Sequence, residues 1–164
     1  MKTTHTAIMQ PLLVIDQVLI AGAGDFRYIA FISDLDICND GSGPDYDDPS
    51  YQSQTAYYNG GKYLNADEDK YLVSPPQVRS MIEPILMGCQ GRITNLTTAK
   101  WSPAVVGEIG PDDKTGEAAY CVAKIVNPKI THNSGDSRRV YLYEFWPGIP
   151  AVVDGKKYKL EGAG

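Results

Sequence analysis

Two glutamates nine positions apart, Glu108 and Glu117, stand at the ends of a loop-like segment in AVVGEIGPDDKTGEAAYCVAKIV, Ala104 to Val126. A pair of carboxyl groups facing each other across a cleft is the equipment of glycoside hydrolysis. One protonates the leaving oxygen and the other activates water or meets the sugar carbon. Local sequence predicts how the pair is positioned. Ala104-Val105-Val106 is an apolar run that reads as a buried strand. Gly107-Glu108 opens a turn rich in Gly, Pro and Asp. From Glu117 onward the period changes, and Ala118, Cys121, Val122, Ile125 and Val126 fall at helical spacing. This predicts a principal helix of about three turns near 117–126. A strand, a loop and a helix in that order put Glu108 and Glu117 on the two rims of one loop. The plainer reading of the same residues is a first-turn acid favoured by the helix dipole and a solvated acid at a strand end.

A second concentration of acids precedes this one. Asp34, Asp36, Asp40, Asp45, Asp47 and Asp48 crowd a segment that also holds Gly41, Gly43 and Pro44. Like charges and turn formers together predict a loop. Read as a calcium loop from Asp36, it has Cys38 at the third position and Asp47 at the twelfth, and no flanking helices, so it departs from the EF-hand pattern. Two readings stay open: a solvated acidic loop, or a loop whose carboxylates receive ammonium groups through charge-assisted hydrogen bonds. The chain has only two histidines, His5 and His132, and three cysteines with no CxxC spacing. Neither a histidine metal cluster nor a redox motif is indicated, and no metal or cofactor is expected. Cys121 reads as a core thiol, and a disulfide between Cys38 and Cys89 stays open. Asn95-Leu96-Thr97 matches the glycosylation pattern, which carries meaning only in a secreted protein.

The elements that must position these residues are mostly strands. Phe26 to Ile32, Tyr71 to Ser74 and Arg139 to Trp146 are rich in aromatic and β-branched residues, and the last alternates strictly. That alternation puts Val140, Leu142, Glu144 and Trp146 on one face and Tyr141, Tyr143 and Phe145 on the other. Glu144 is then either an edge residue or a third cleft carboxylate. Further short strands are predicted for Leu12 to Ile20, Gln52 to Tyr58, Lys62 to Ala66, Ile85 to Met87, Arg92 to Thr94 and Ala151 to Val153, with one helical turn in Gln77 to Pro84. Asn59-Gly60-Gly61, Gly88 to Gly91, Pro147-Gly148 and Asp154-Gly155 read as turns. The expected fold is mainly β (α+β), a small β-barrel with one principal helix. Analogy with other small hydrolases suggests the double-psi type.

The whole chain sets the outer bounds. Its 164 residues, 43% of them hydrophobic, are enough for one domain, 1–164, with a sizeable core. The formal charge of −5 repels nucleic acid, and no basic patch offsets it. The expected partner is a cationic polymer or small-molecule ligand. Pro11, Asp16 and Gln17 interrupt the N-terminal apolar run, and no segment suits a membrane span. The expected location is cytoplasmic, or outside by a route without a cleaved signal, or secreted if a signal had already been removed. The oligomeric state is left open.

The order of motifs resembles the fungal-type chitosanases of glycoside hydrolase family 75. The matching pieces are DLDICNDG (Asp34 to Gly41), QSQTAY (Gln52 to Tyr57), YLNA (Tyr63 to Ala66), YLVSPP (Tyr71 to Pro76) and VVGEIGPDDKTGEAAYCVAK (Val105 to Lys124). The resemblance spans about residues 30 to 126. It implies inverting cleavage of β-1,4 bonds between glucosamine units by an Asp and a Glu. Carried over by position, the Glu falls on Glu117 as general acid and the Asp on Glu108 as base, so the family's Gly-Asp is Gly-Glu here. Asp34 and Asp36 are then the binders of ammonium and hydroxyl groups, with Gln54 and Thr55 in support. Tyr57 and Tyr58 either stack on sugar rings or serve as core and surface residues. The alternative from another class is a non-catalytic binding protein on the same scaffold that captures a cell-wall saccharide or a small soluble ligand. A chain carried by a phage or bacterium, including a virion accessory domain, fits the missing signal.

Overall fold

The computed structural model describes residues 11–15, 18–23, 26–76, 87–111 and 113–161. Its two longest strands are β3 (Phe26–Cys38) and β10 (Asp136–Pro150), which pair antiparallel. The alternation in RVYLYEFW is realised as read. Tyr141, Tyr143 and Phe145 are fully buried, and Phe31 of β3 stacks on Tyr143 with ring centroids 5.0 Å apart. Glu144, Leu142 and Trp146 take the opposite face, as a period of two requires.

From this pair the sheet continues through β7 (Cys89–Asn95), β8 (Trp101–Ile109), β6 (Tyr71–Ser74) and β9 (Glu117–Ala119), and β9 returns to β3. The result is a closed six-stranded barrel, the small β-barrel expected from the sequence. Two pairings are parallel, β6 with β8 and β3 with β9, and the other four are antiparallel. β1 (Pro11–Ile15) and β2 (Val18–Ala23) continue the sheet along the first half of β3, while β9 pairs with its last three residues. The two short hairpins have the expected turns. Gly60-Gly61 joins β4 (Tyr58–Asn59) to β5 (Lys62–Tyr63), and Asp154-Gly155 joins β11 (Val152–Val153) to β12 (Lys156–Lys157). All four turn residues have positive φ, which explains the glycines.

Several boundaries differ from the sequence reading. The helix α1 runs Tyr120–Val126 and does not begin at Glu117. Glu117–Ala119 is the strand β9, because its backbone groups are engaged by β3 on one side and β6 on the other. Ala118 and Ala119 have no exposed surface there. The helix buries Val122, Ala123 and Val126, while Ile125 is exposed and Cys121 only partly covered. Residues 52–57 form no strand. Their backbone is used singly, with Gln52 O accepting from Gly41 N–H and Tyr57 N–H donating to Gly107 O. Cys89 to Gly91 lies inside β7, and β10 continues past Pro147-Gly148. Cys38 and Cys89 are both buried free thiols, so they form no disulfide. The helical turn expected in 77–84 and most of the strand expected at 85–87 lie outside the described residues. Among the described residues, no helix is long and apolar enough to cross a membrane.

Barrel closure leaves no space at Gly116, just before β9. A Cβ there would stand 2.2 Å from Asp34 O and 2.9 Å from Ser33 Cβ, while Gly116 O accepts from Asp36 N–H at 2.9 Å. Backbone cannot yield as a side-chain tip can. Gly116→Ala is expected to cost about 3 kcal/mol, the upper end of ordinary overpacking. Urea unfolding measures it, and an unchanged midpoint would contradict this tight packing.

Candidate active site

A bulge in the barrel wall sets the position of Glu108. The register between β6 and β8 runs Leu72↔Val106 and then Val73↔Glu108, leaving Gly107 unmatched. A side chain at Gly107 would collide with Leu64 Cδ1 at 2.3 Å and Tyr71 Cβ at 2.9 Å, so only glycine fits. Bulges re-aim the residue that follows, and they recur near functional sites.

Register then assembles a row. Val73 lies beside Glu108. The antiparallel pair Leu72↔Ala118 sets Val73 beside Glu117, and Glu117 pairs with Asp36 of β3. Glu108, Val73, Glu117 and Asp36 thus cross four adjacent strands. With strands about 4.8 Å apart, the backbones of the two glutamates stand roughly 10 Å apart. A Cβ on Gly110, just past β8, would meet both Val73 Cγ1 (2.9 Å) and Glu117 Oε2 (3.1 Å), which places the Glu117 carboxyl next to Val73.

The electrostatics of the row are unusual. Glu108 is 8% exposed. Its Oε1 accepts N–H bonds from Ala56 (3.1 Å) and Ile109 (2.9 Å), and its buried Oε2 has no protein partner. Burial pushes its pKa from 4.5 up to about 7, aided by the charge of Asp40 and opposed by the two N–H groups. Glu117 is likewise pushed from 4.5 to about 7 by burial. Lys114 opposes that shift, while the charges of Asp36, Asp40 and Glu108 add to it. Asp40 is itself raised by burial, with the Gln52 N–H opposing. Near neutrality the two glutamates therefore sit at the edge of ionisation, where acid–base chemistry is most effective. At the Asp36 end of the row a groove of about 220 Å³ is lined by Asp36, Asp48, Ser50, Lys114, His132 and Asn133, among others, and neither glutamate is among its lining residues.

The predicted binding residues divide. Asp36 joins the row and forms an ion pair with Lys114 at 3.2 Å. Asp34 lies two residues earlier on the same face of β3. Its carboxylate accepts from Ser33 Oγ at 3.1 Å, and its main-chain oxygen accepts from Tyr143 OH at 2.6 Å. Gln54 is exposed in the loop. Thr55 is buried, and its hydroxyl serves the backbone, donating to Tyr57 O and accepting from Leu64 N–H. Tyr57 is fully buried, with its hydroxyl bonded to Lys159 and its ring edge-on to Tyr158, so it presents no face for a sugar to stack on. Tyr58 is half exposed and tilted against Tyr63. Glu144 is no cleft acid: Arg92 and the Tyr28 hydroxyl hold its carboxylate.

The sequence reading did not single out Asp40 or Lys114 for the site. It gives His132 no part beyond the histidine count that argues against a metal cluster. His132 is stacked between Tyr46 (3.4 Å between centroids) and Tyr120 (3.5 Å), with Nδ1 on Asn39 Oδ1 at 2.9 Å and Nε2 facing Asp67 at 3.3 Å. The signal for Lys114 was present, because it is the one cation in the loop between Glu108 and Glu117. Nothing local marks Asp40 or His132, whose roles come from contacts distant in sequence. Among the described residues no three His, Cys, Asp or Glu side chains group to hold a metal. No protein-family model and no curated protein sequence matches the chain.

A carboxyl with a raised folded pKa binds more protons folded than unfolded. Glu108 therefore lowers stability as pH rises from 4.5 to about 7, and the full deficit remains above that. Glu108→Gln, whose amide oxygen still accepts both N–H bonds, is expected to exceed the parent by roughly 3 kcal/mol at about pH 8.5 and to match it near pH 4. Denaturant unfolding at the two pH values checks this, and an equal difference at both would refute it.

Proposed function

We propose that the protein is an inverting glycoside hydrolase acting on β-1,4 bonds in a glucosamine-containing polysaccharide, with Glu117 as general acid and Glu108 as base. The observation that carries this reading is the pair of buried glutamates, two strands apart in one row, both poised to exchange a proton near neutral pH. Inversion needs carboxyl groups about 6.5–9.5 Å apart to admit a water, and backbones roughly 10 Å apart in one row are compatible with that.

The environments support the division of roles. Burial, against the opposing charge of Lys114 and with the charges of Asp36, Asp40 and Glu108 adding to it, favours a proton on Glu117 for delivery to the leaving oxygen. Glu108 has two backbone N–H groups that favour its ionised form, and a free Oε2 to take a proton from water. Asp36, with Asp34 beside it on β3, supplies negative charge for the sugar's ammonium and hydroxyl groups. The net charge of −5 draws a cationic polymer toward the site. The motif resemblance to chitosanases points to the same substrate.

One observation favours a second reading, a binding protein that does not turn over. Glu108 is longer than the Asp of the chitosanase pattern, and Oε1 is already held by Ala56 and Ile109. Chitosan oligomers left intact after incubation, yet retained by the protein, would select that reading.

Glu117→Gln is expected to leave the melting temperature at or above that of the parent at neutral pH and to lower hydrolysis at least about a hundredfold. Product chain length and the anomer first formed, read by NMR on glucosamine oligomers, provide the measurement. Undiminished activity would remove Glu117 from the chemistry, and a retained anomer would exclude inversion.

A further inference from the structure

Lys114 sits on the loop between β8 and β9, with its side chain half exposed and its Nζ 3.2 Å from Asp36 Oδ2. Its influence is not confined to Asp36. It stabilises the ionised forms of Asp48, from the acid-rich loop, and of Glu117, from β9. It therefore serves acids from three separate parts of the chain. Lys114, Asp36 and Asp48 also share the walls of the groove at the Asp36 end of the row, and Asp36 pairs in register with Glu117. That groove is smaller than the roughly 300–1,000 Å³ of sites that enclose a whole small ligand, so it suits one unit of a longer one.

We infer that Lys114 is a resident counter-cation, which the ammonium group of an amino-sugar unit displaces from Asp36, and that this competition moderates the preference of the groove for cationic over neutral saccharides. The inference rests on the amino-sugar reading of the site. An alkylammonium group and the lysine side chain present the same three N–H donors, so the incoming group satisfies Asp36 as Lys114 did. Because the Lys114–Asp36 pair is largely open to solvent, it is weak and easily exchanged. The lysine stem is flexible, and its end group is readily rehydrated once it swings outward. A neutral N-acetylated unit offers Asp36 no charge and leaves the lysine in place. Competition from Lys114 thus weakens binding of the cationic sugar while guarding the site against nonspecific cations.

The test uses the full chain in a Glu117→Gln background, which blocks turnover. Calorimetry compares glucosamine tetramer with N-acetylglucosamine tetramer. With Lys114→Met, and with Lys114→Gln as a second neutral variant, the glucosamine tetramer is expected to bind about tenfold more tightly, through the unshielded attraction of Asp36. Affinity for the acetylated tetramer stays unchanged, and Lys114→Arg, which keeps the charge, stays near the parent. Equal or weaker binding of the glucosamine tetramer by both neutral variants, with the parent still binding it, overturns the role of Lys114 and leaves the glycosidase reading standing. Failure of the parent and all variants to bind the glucosamine tetramer overturns both.

Discussion

The pairing of three residues, Glu117–Ala119, with two strands at once is the constraint on which the site depends. It closes the barrel between β3 and β6 and sets Glu117 in the wall. A strand this short contributes few hydrogen bonds, so it must fit closely. Ala118 and Ala119 let the flanking backbones approach, and Gly116 lets the chain enter against Asp34 O. The closure has an electrostatic cost, because a carboxyl buried beside Asp36, Asp40 and Glu108 is destabilised when ionised. The barrel carries that cost on a core of large aromatic side chains: Tyr57, Tyr71, Tyr141, Tyr143 and Phe145 are all fully buried.

Two buried glutamates in the same barrel meet opposite fates. Glu144 and Glu108 are 5% and 8% exposed. Glu144 faces Arg92, which supplies a charge and two donors, and accepts from Tyr28 as well. A carboxylate so paired is settled, because its charge is compensated and its oxygens are satisfied. Among the described residues Glu108 has no cation in contact, only two backbone N–H groups on one oxygen, and a second oxygen with none. Buried polar atoms without partners are rare in native proteins and concentrate where chemistry is done. This contrast, more than burial alone, is what singles out Glu108 and not Glu144 for the proposed chemistry.

It also explains what the sequence could and could not disclose. The alternation of β10, the turns of the two short hairpins and the apolar start of β8 were legible because each is a local property of a few consecutive residues. Glu108 and Glu117 were legible as a pair through their loop and their motif. The start of the helix was not, because the apolar residues from Ala118 onward fit a helical period equally well. The choice was made by β3 and β6, whose partner residues lie 81 and 46 positions earlier. Thr55 and Tyr57 matched a motif yet turned inward, since the loop that carries them spends its polar groups on Leu64 and Lys159. The pairing of Glu144 with Arg92, fifty-two residues away, is equally invisible in a linear reading.

The stack of Tyr46, His132 and Tyr120 bears on whether the acid-rich loop is a wall or merely a tether. The loop carries enough like charge to repel itself, and glycine and proline give it little internal structure. Yet His132 joins it to α1 through two ring faces, and Asn39 binds the His132 carbonyl while also donating to Asp48. The Tyr46 hydroxyl and His132 Nε2 both turn toward Asp67. Asp48 is thereby fixed by Asn39 on one oxygen and by Ser50 on the other. A carboxylate held on both oxygens cannot swing out to follow a ligand. On the amino-sugar reading, the groove offers its ligand one acid held on both oxygens, Asp48, and one half-exposed ion pair, Asp36 with Lys114, so adjustment on binding is expected from the lysine loop before the acidic one.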